Sequence, residues 1–133
     1  MPFGSVSNVV SERWRLDDRS EWLSPQAVLD TVEARMRAGE LTTFLHSDTG
    51  RIIGWTTNRE RVMLMVLDGV GDAGEHAVDP SGEGQSTGYV LDNGQADTYP
   101  DSDTVPLPEA QRLLMSLVTG GTFPPDAPVK ADR

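Results

Sequence analysis

The sequence predicts an α+β domain, with a mostly antiparallel sheet of about five strands and two main helices packed on one face. Apolar residues recur at helical spacing in one segment near each end of the chain, and between them lie short segments rich in β-branched and aromatic residues. The links between those segments are short turns, which favour antiparallel pairing. We expect a single domain over residues 1–133, with an uncertain N-terminal segment at 1–20 and an irregular tail at 122–133.

Both predicted helices have recognisable ends. Ser24 suits an N-cap and Pro25 the first helical position, and Gly39 is a typical helix stop. The second helix is expected from Pro108 to Val118, before Gly120-Gly121.

The predicted strands form a three-strand meander followed by a hairpin. Asn93-Gly94 is the strongest hairpin signal, because this dipeptide fits a tight two-residue turn. The run Arg61–Leu67 is the most apolar, which predicts a central strand covered on both faces. Ser5–Val10 is read as a short edge strand, and Trp14 and Trp22 are expected to pack on the core. The five main strands are expected at 41–46, 51–57, 61–67, 87–91 and 95–99.

Charge is distributed unevenly along the chain. The formal net charge is −10, from 21 acidic and 11 basic residues, and residues 62–111 contain no lysine or arginine. Such a segment disfavours nucleic acid and anionic membranes as partners and indicates either a solvated surface or a docking surface for a basic partner. Its most acidic part, residues 68–86, is predicted to be a long loop. With no signal-like N-terminus and no long apolar run, we expect a cytoplasmic protein.

The sequence offers little for catalysis. It has no cysteine and two histidines, and no serine lies in a Gly-x-Ser-x-Gly elbow. His76 is expected to be a solvated loop residue, although a pair with a loop carboxylate would suit an enzyme. We therefore predict no enzymatic activity, no cofactor and no metal. Carboxylates around Gly69–Gly74 argue against a phosphate loop, but the pairs Asp68/Asp72 and Asp101/Asp103 leave calcium as an alternative.

Three motifs in order carry a resemblance to a known family. They are Ile52–Asn58 with the following strand, Gly88–Gln95 with Tyr99-Pro100 after it, and Val105-Pro106 leading into the second helix. Over roughly residues 40–128 the chain resembles the Imm1 family of bacterial immunity proteins, which are common in actinobacteria. The resemblance implies an α+β protein encoded beside a polymorphic toxin, often one with a nucleic-acid deaminase domain. Such a protein binds the toxin and blocks it, and the family supplies no catalytic residues.

Together, charge and resemblance predict a toxin with a basic surface as the partner. Trp55 is favoured as a core residue, with a surface anchor as the other interpretation. Reversing the charges of Asp72, Glu75 and Asp79 is expected to weaken binding without unfolding the protein. A small-ligand or calcium-binding module and a non-inhibitory subunit of a larger assembly remain alternatives, and the oligomeric state is not predicted. The expected partner-binding residues are Asp68, Asp72, Glu75, Asp79, Glu83, Asp97, Asp101, Asp103 and Trp55.

Overall fold

The computed structural model describes residues 12–133, and the expected strand at 5–10 lies outside this range. Within it the chain forms nine β-strands and two α-helices, and a single 3₁₀ turn at Asp101–Asp103 precedes β8. No helix in this part of the chain is long and apolar enough to cross a membrane. The elements are β1 (Trp14–Leu16), α1 (Pro25–Arg37), β2 (Thr42–Ser47), β3 (Ile52–Thr57), β4 (Arg61–Leu67), β5 (Glu75–Ala77), β6 (Gln85–Val90), β7 (Ala96–Pro100), β8 (Val105–Pro106), α2 (Leu107–Gly120) and β9 (Val129–Ala131).

The main sheet has the strand order β1-β2-β3-β4-β5-β9, and β8 pairs with the start of β4. Every pairing in it is antiparallel, which confirms the predicted α+β class. Strands β6 and β7 form a separate two-stranded hairpin. The five predicted strands are present, and the sheet gains β1, β5, β8 and β9, each of two or three residues. Strands this short carry no alternating pattern, so the sequence could not reveal them.

Alternate residues of the meander build one side of the core. The register places Thr43, Trp55 and Leu64 side by side, and all three are buried. Helices α1 and α2 contact each other and bury their apolar residues in the same core, which puts both on this face of the sheet. Trp55 is 2% exposed, as the favoured interpretation required, and so offers no surface anchor.

The helix ends follow the sequence signals. The Ser24 hydroxyl accepts a hydrogen bond from the Ala27 backbone N–H at 3.2 Å, and Pro25 begins α1. Helix α2 extends two residues beyond Val118 and ends at Gly121, whose φ of 83° is easy only for glycine.

The opposite face of the sheet is only partly covered. In β4, Val62, Leu64 and Val66 are buried and the residues between them are partly exposed. The prediction of a strand covered on both faces is therefore wrong, because six consecutive apolar residues hide the alternation. Gly54 lies beneath Phe44 and Met65 on this face, where a Cβ would come within 3.0 Å of Met65 Cγ.

Three local expectations need correction. Residues 68–86 are not one loop, because β5 and the start of β6 lie within them. The tail at 122–133 is not irregular throughout, because β9 pairs with β5. Trp14 is buried as expected, whereas Trp22 is 38% exposed and stacks under the Arg13 guanidinium at 4.6 Å. Cation–π contact explains how Trp22 is stabilised outside the core.

Candidate functional site

Part of the predicted acidic surface is held by Arg133. Its guanidinium lies 3.1 Å from an Asp68 carboxylate oxygen, 3.0 Å from Asp72 and 3.6 Å from Glu75. The backbone N–H of Asp68 also donates to Asp72, and this bond, together with Arg133, lowers the pKa of Asp72. These three carboxylates are therefore partly neutralised within the protein.

Arg61 binds a second part of the predicted acidic surface, around Asp79 and Asp101. Its Nη2 donates to Asp79 Oδ2 at 2.7 Å and to the carbonyls of Asp101 and Thr104, and its Nε donates to Thr104 Oγ1 at 2.8 Å. The Asp101 carboxylate accepts from Ser86 Oγ at 2.6 Å. Arg61 donates to Asp79 and holds the pKa of that carboxyl below its usual value. Asp79 and Asp101 thus fasten the start of the hairpin to the start of β4.

His76 binds a third part, and its predicted place in a solvated loop is wrong. It lies on β5 and is 6% exposed. Nδ1 is 2.7 Å from Asp132 Oδ2 and Nε2 is 3.0 Å from Asp103 Oδ1. Because both ring nitrogens face carboxylates, the ring ties β5 to β9 and to the 3₁₀ turn. Glycines and acids around a three-residue strand resemble a loop in the sequence, which explains the error.

Most residues of the expected docking surface are therefore engaged inside the protein, and only a few are free to contact a partner. Asp68, Asp72, Glu75, Asp79 and Asp101 take part in internal ion pairs with Arg133 or Arg61, Asp103 lies 3.0 Å from the His76 ring, and Trp55 is buried. Of the predicted residues, Glu83 and Asp97 make no ion pair within residues 12–133 and remain open to a partner. Reversing the charges of Asp72, Glu75 and Asp79 would break contacts to Arg61 and Arg133, so we now expect that variant to lose stability as well.

Within the described part of the chain, seven carboxylates pair with no arginine, lysine or histidine, namely Asp17, Glu21, Asp30, Glu60, Glu83, Asp92 and Asp97. Three of them line a different surface. Glu21 and Asp30 line a groove of about 580 Å³ between α1 and the segment that follows β1. Asp92 lines an adjoining groove of about 400 Å³ at the hairpin tip. We call these two grooves together the acidic groove.

One wall of the acidic groove is held in place by Arg15. Its Nη1 donates to the carbonyls of Leu16 at 3.1 Å and Arg19 at 3.0 Å, and more weakly to that of Asp17 at 3.4 Å. The Leu23 backbone N–H donates to Trp14 at 2.8 Å, which closes the other end of this segment. The segment is thus ordered by its own contacts, a property that lowers the entropic cost of binding.

The hairpin forms the second part of the site. Thr42 Oγ1 donates to the Val90 carbonyl at 2.8 Å, and Asn58 Nδ2 donates to the Thr87 carbonyl at 3.0 Å. Inside the hairpin, the rings of Tyr89 and Tyr99 lie 4.7 Å apart. Burial, and then the nearby Asp97 carboxylate, raise the pKa of Tyr99 to about 12.

Sequence reasoning missed both the groove and its acids. The acids of the groove come from four separate stretches of chain. Most of them lie before residue 62, where the chain is nearly neutral overall, so the charge distribution along the sequence does not point to them. One feature of the sequence could have indicated which acids are paired: residues 62–111 contain no lysine or arginine, so their ion pairs must come from cations outside this segment. In the structure, Arg61 and Arg133 supply them. Only the antiparallel topology brings those arginines to it.

Within residues 12–133 no three histidine, aspartate or glutamate side chains come together to hold a metal ion. Asp101 and Asp103 face Ser86, Arg61 and His76 instead. What the geometry does offer is a concave acidic surface next to a hairpin with unpaired strand edges.

Comparisons of this chain with protein-family models, with curated proteins and with solved structures found no match.

Proposed function

We propose that this chain is an immunity protein that binds a cognate toxin and blocks it, with the acidic groove and the hairpin β6–β7 as the contact surface. The observation that carries the proposal is a group of carboxylates without an internal cation: Glu21, Asp30 and Asp92 line the groove, Asp97 lies on β7, and Glu83 lies two residues before β6. The motif resemblance to the Imm1 family supports the same function. Both point to a protein partner that presents arginine or lysine.

The physical logic suits a toxin that acts on nucleic acid. Such a toxin needs a positive groove for its substrate. A rigid acidic partner competes for that groove and repels the substrate once bound. Protein interfaces of standard size bury about 800 Å² on each partner, an area that a groove and an adjoining hairpin can supply.

Co-expression tests the proposal directly. The chain is produced together with the product of the adjacent upstream gene, and growth and co-elution of the two proteins are measured. We expect growth to be restored and a complex to form. A toxic neighbour that is neither rescued nor bound would overturn the proposal, and a thermal-shift screen including calcium would then test the ligand-binding alternative.

Paired variants locate the contact surface. In Glu83→Lys/Asp92→Lys, two exposed acids without internal ion pairs become cations, and we expect binding to weaken on the order of tenfold or more. Glu60→Lys/Asp126→Lys makes the same charge change at other exposed sites. Equal effects of both pairs would show that overall charge, rather than this surface, governs binding.

A further inference from the structure

We infer that the acidic groove binds an extended arginine- or lysine-bearing segment of a protein partner; this deepens the proposed function and rests on it. The two parts of the groove share Asp18, Arg35 and Glu40, so they form one continuous depression. It runs from the exposed side of α1 to Asp92 and Gly94 at the hairpin tip. A depression of this kind fits a strand-like segment better than a compact ligand.

The floor of the groove suits a long basic side chain. Leu16, Leu23, Ala34 and Ala38 line the larger part and supply apolar surface. Arginine and lysine carry an aliphatic stem below a charged head, and they bury the stem on apolar surface while the head stays at a polar rim. The apolar part of the groove therefore suits the aliphatic stem of an arginine or lysine, and the acidic part suits its charged head.

The rim keeps a negative excess after its own ion pairs are counted. Arg35 is engaged inside the protein, with Nη1 3.1 Å from Glu40 and Nε donating to Thr43 at 2.9 Å. Arg19 reaches Asp18 only at 3.9 Å. Glu21 and Asp30 have no cation within the described residues. A cationic segment gains attraction here, whereas an anionic or nucleic-acid ligand is repelled.

Ala34 gives a sharp test, because it is exposed and lines the groove without a polar contact of its side chain. Ala34→Arg places a cation in the groove and leaves every carboxylate intact. The matched control is Ala73→Arg, which makes the same change at an exposed position of the acidic segment held by Arg133. The pair therefore compares the groove with the surface expected from sequence.

Binding is measured by fluorescence anisotropy with a fluorescein-labelled peptide of alternating alanine and arginine. The salt concentration is about 0.01 M, where screening extends over roughly 30 Å. We expect micromolar binding to the wild type, on the order of tenfold weaker binding to Ala34→Arg, and little change in Ala73→Arg. A peptide with glutamate in place of arginine should not bind.

A second variant tests the same groove by removing its charge. Glu21→Gln/Asp30→Asn removes two unpaired charges of the groove and should weaken binding of the arginine peptide by a similar factor. Circular dichroism checks that this variant is folded. An equal loss of peptide affinity in Ala34→Arg and Ala73→Arg, or no binding of the arginine peptide to the wild type, would overturn the inference. The proposed function fails separately: the peptide would bind the groove as described while the toxin is neither bound nor neutralised.

Discussion

Arg61 makes four side-chain hydrogen bonds near the start of the hairpin. Its fork reaches Asp79, the carbonyls of Asp101 and Thr104 and the Thr104 hydroxyl, so one residue of β4 satisfies acceptors on two later stretches of chain. Its side chain is 19% exposed and that of Asp79 is 17% exposed, so water screens their pair only in part. Arginine is suited to this place because its donors lie in one rigid plane.

Arg61→Lys keeps the charge and loses the fork. We expect it to destabilise the protein by about 2 kcal/mol, because several acceptors lose their donor. Urea unfolding measures the change. Arg37→Lys is the control: Arg37 pairs with Glu33 on an exposed helix face, where the cost should stay below about 0.5 kcal/mol. Equal costs would show that Arg61 acts as a charge alone.

Asp79 makes stability depend on pH. Its pKa lies below the ordinary value of 3.8, first because Arg61 donates to it and then because Ser81 does. A lowered pKa in the folded state stabilises the protein at pH values above 3.8, and this stabilisation is lost as the pH falls through the lowered pKa.

We therefore expect the stability gap between wild type and Asp79→Asn to be full near pH 7 and to shrink below about pH 4. Urea unfolding at several pH values tests this, with the exposed Asp17→Asn as control. A gap that stays constant down to about pH 2 would contradict the assignment.

At the scale of elements, long patterned segments were predictable and short paired ones were not. Helix α1 follows from Ser24, Pro25 and the apolar stripe, and Asn93-Gly94 correctly placed the turn between β6 and β7. Strands β5 and β9 exist because β5 pairs with β4 and with β9, and the pairing with β9 joins residues far apart in the sequence. Three residues carry no periodicity, so only the folded topology reveals them.

Besides its backbone pairing, strand β9 is held by side-chain contacts of the two residues that follow it, Asp132 and Arg133. Asp132, which follows it, contacts His76 at 2.7 Å. We expect Asp132→Asn to speed hydrogen exchange of β9 amides by on the order of tenfold, with the helix α2 amides unchanged, because it weakens a local tie. Asp126→Asn is the control, since Asp126 contacts the exposed Arg112. Uniform acceleration throughout the chain would mean that Asp132 supports global stability instead.

At the scale of the whole molecule, the distribution of charge along the sequence did not show which carboxylates are paired within the protein. The long acidic segment was the natural docking surface in the sequence, yet Arg61, Arg133 and His76 occupy most of its carboxylates. Pairing between residues tens of positions apart cannot be read from a linear charge count. The fold class was predictable; the acidic groove was not, because it is assembled from separate elements.

Long-range charge should appear in the kinetics of complex formation. With a net charge of −10, association with a basic toxin is expected to be steered, so its rate constant falls as salt rises while the dissociation rate changes less. Stopped-flow or surface-based kinetics over a salt series measures both rates. An association rate indifferent to ionic strength would remove the electrostatic part of the proposal.

Within the described residues, the hairpin β6–β7 forms a two-stranded sheet of its own and has no backbone strand pairing with the main sheet. The contacts of Val90 and Thr87 with the sheet use backbone carbonyls, which every residue carries. Side chains at the tip can therefore change with little cost to the core that keeps the chain folded. If the hairpin contacts a partner as proposed, such a separation would let the contact surface change while the fold stays the same.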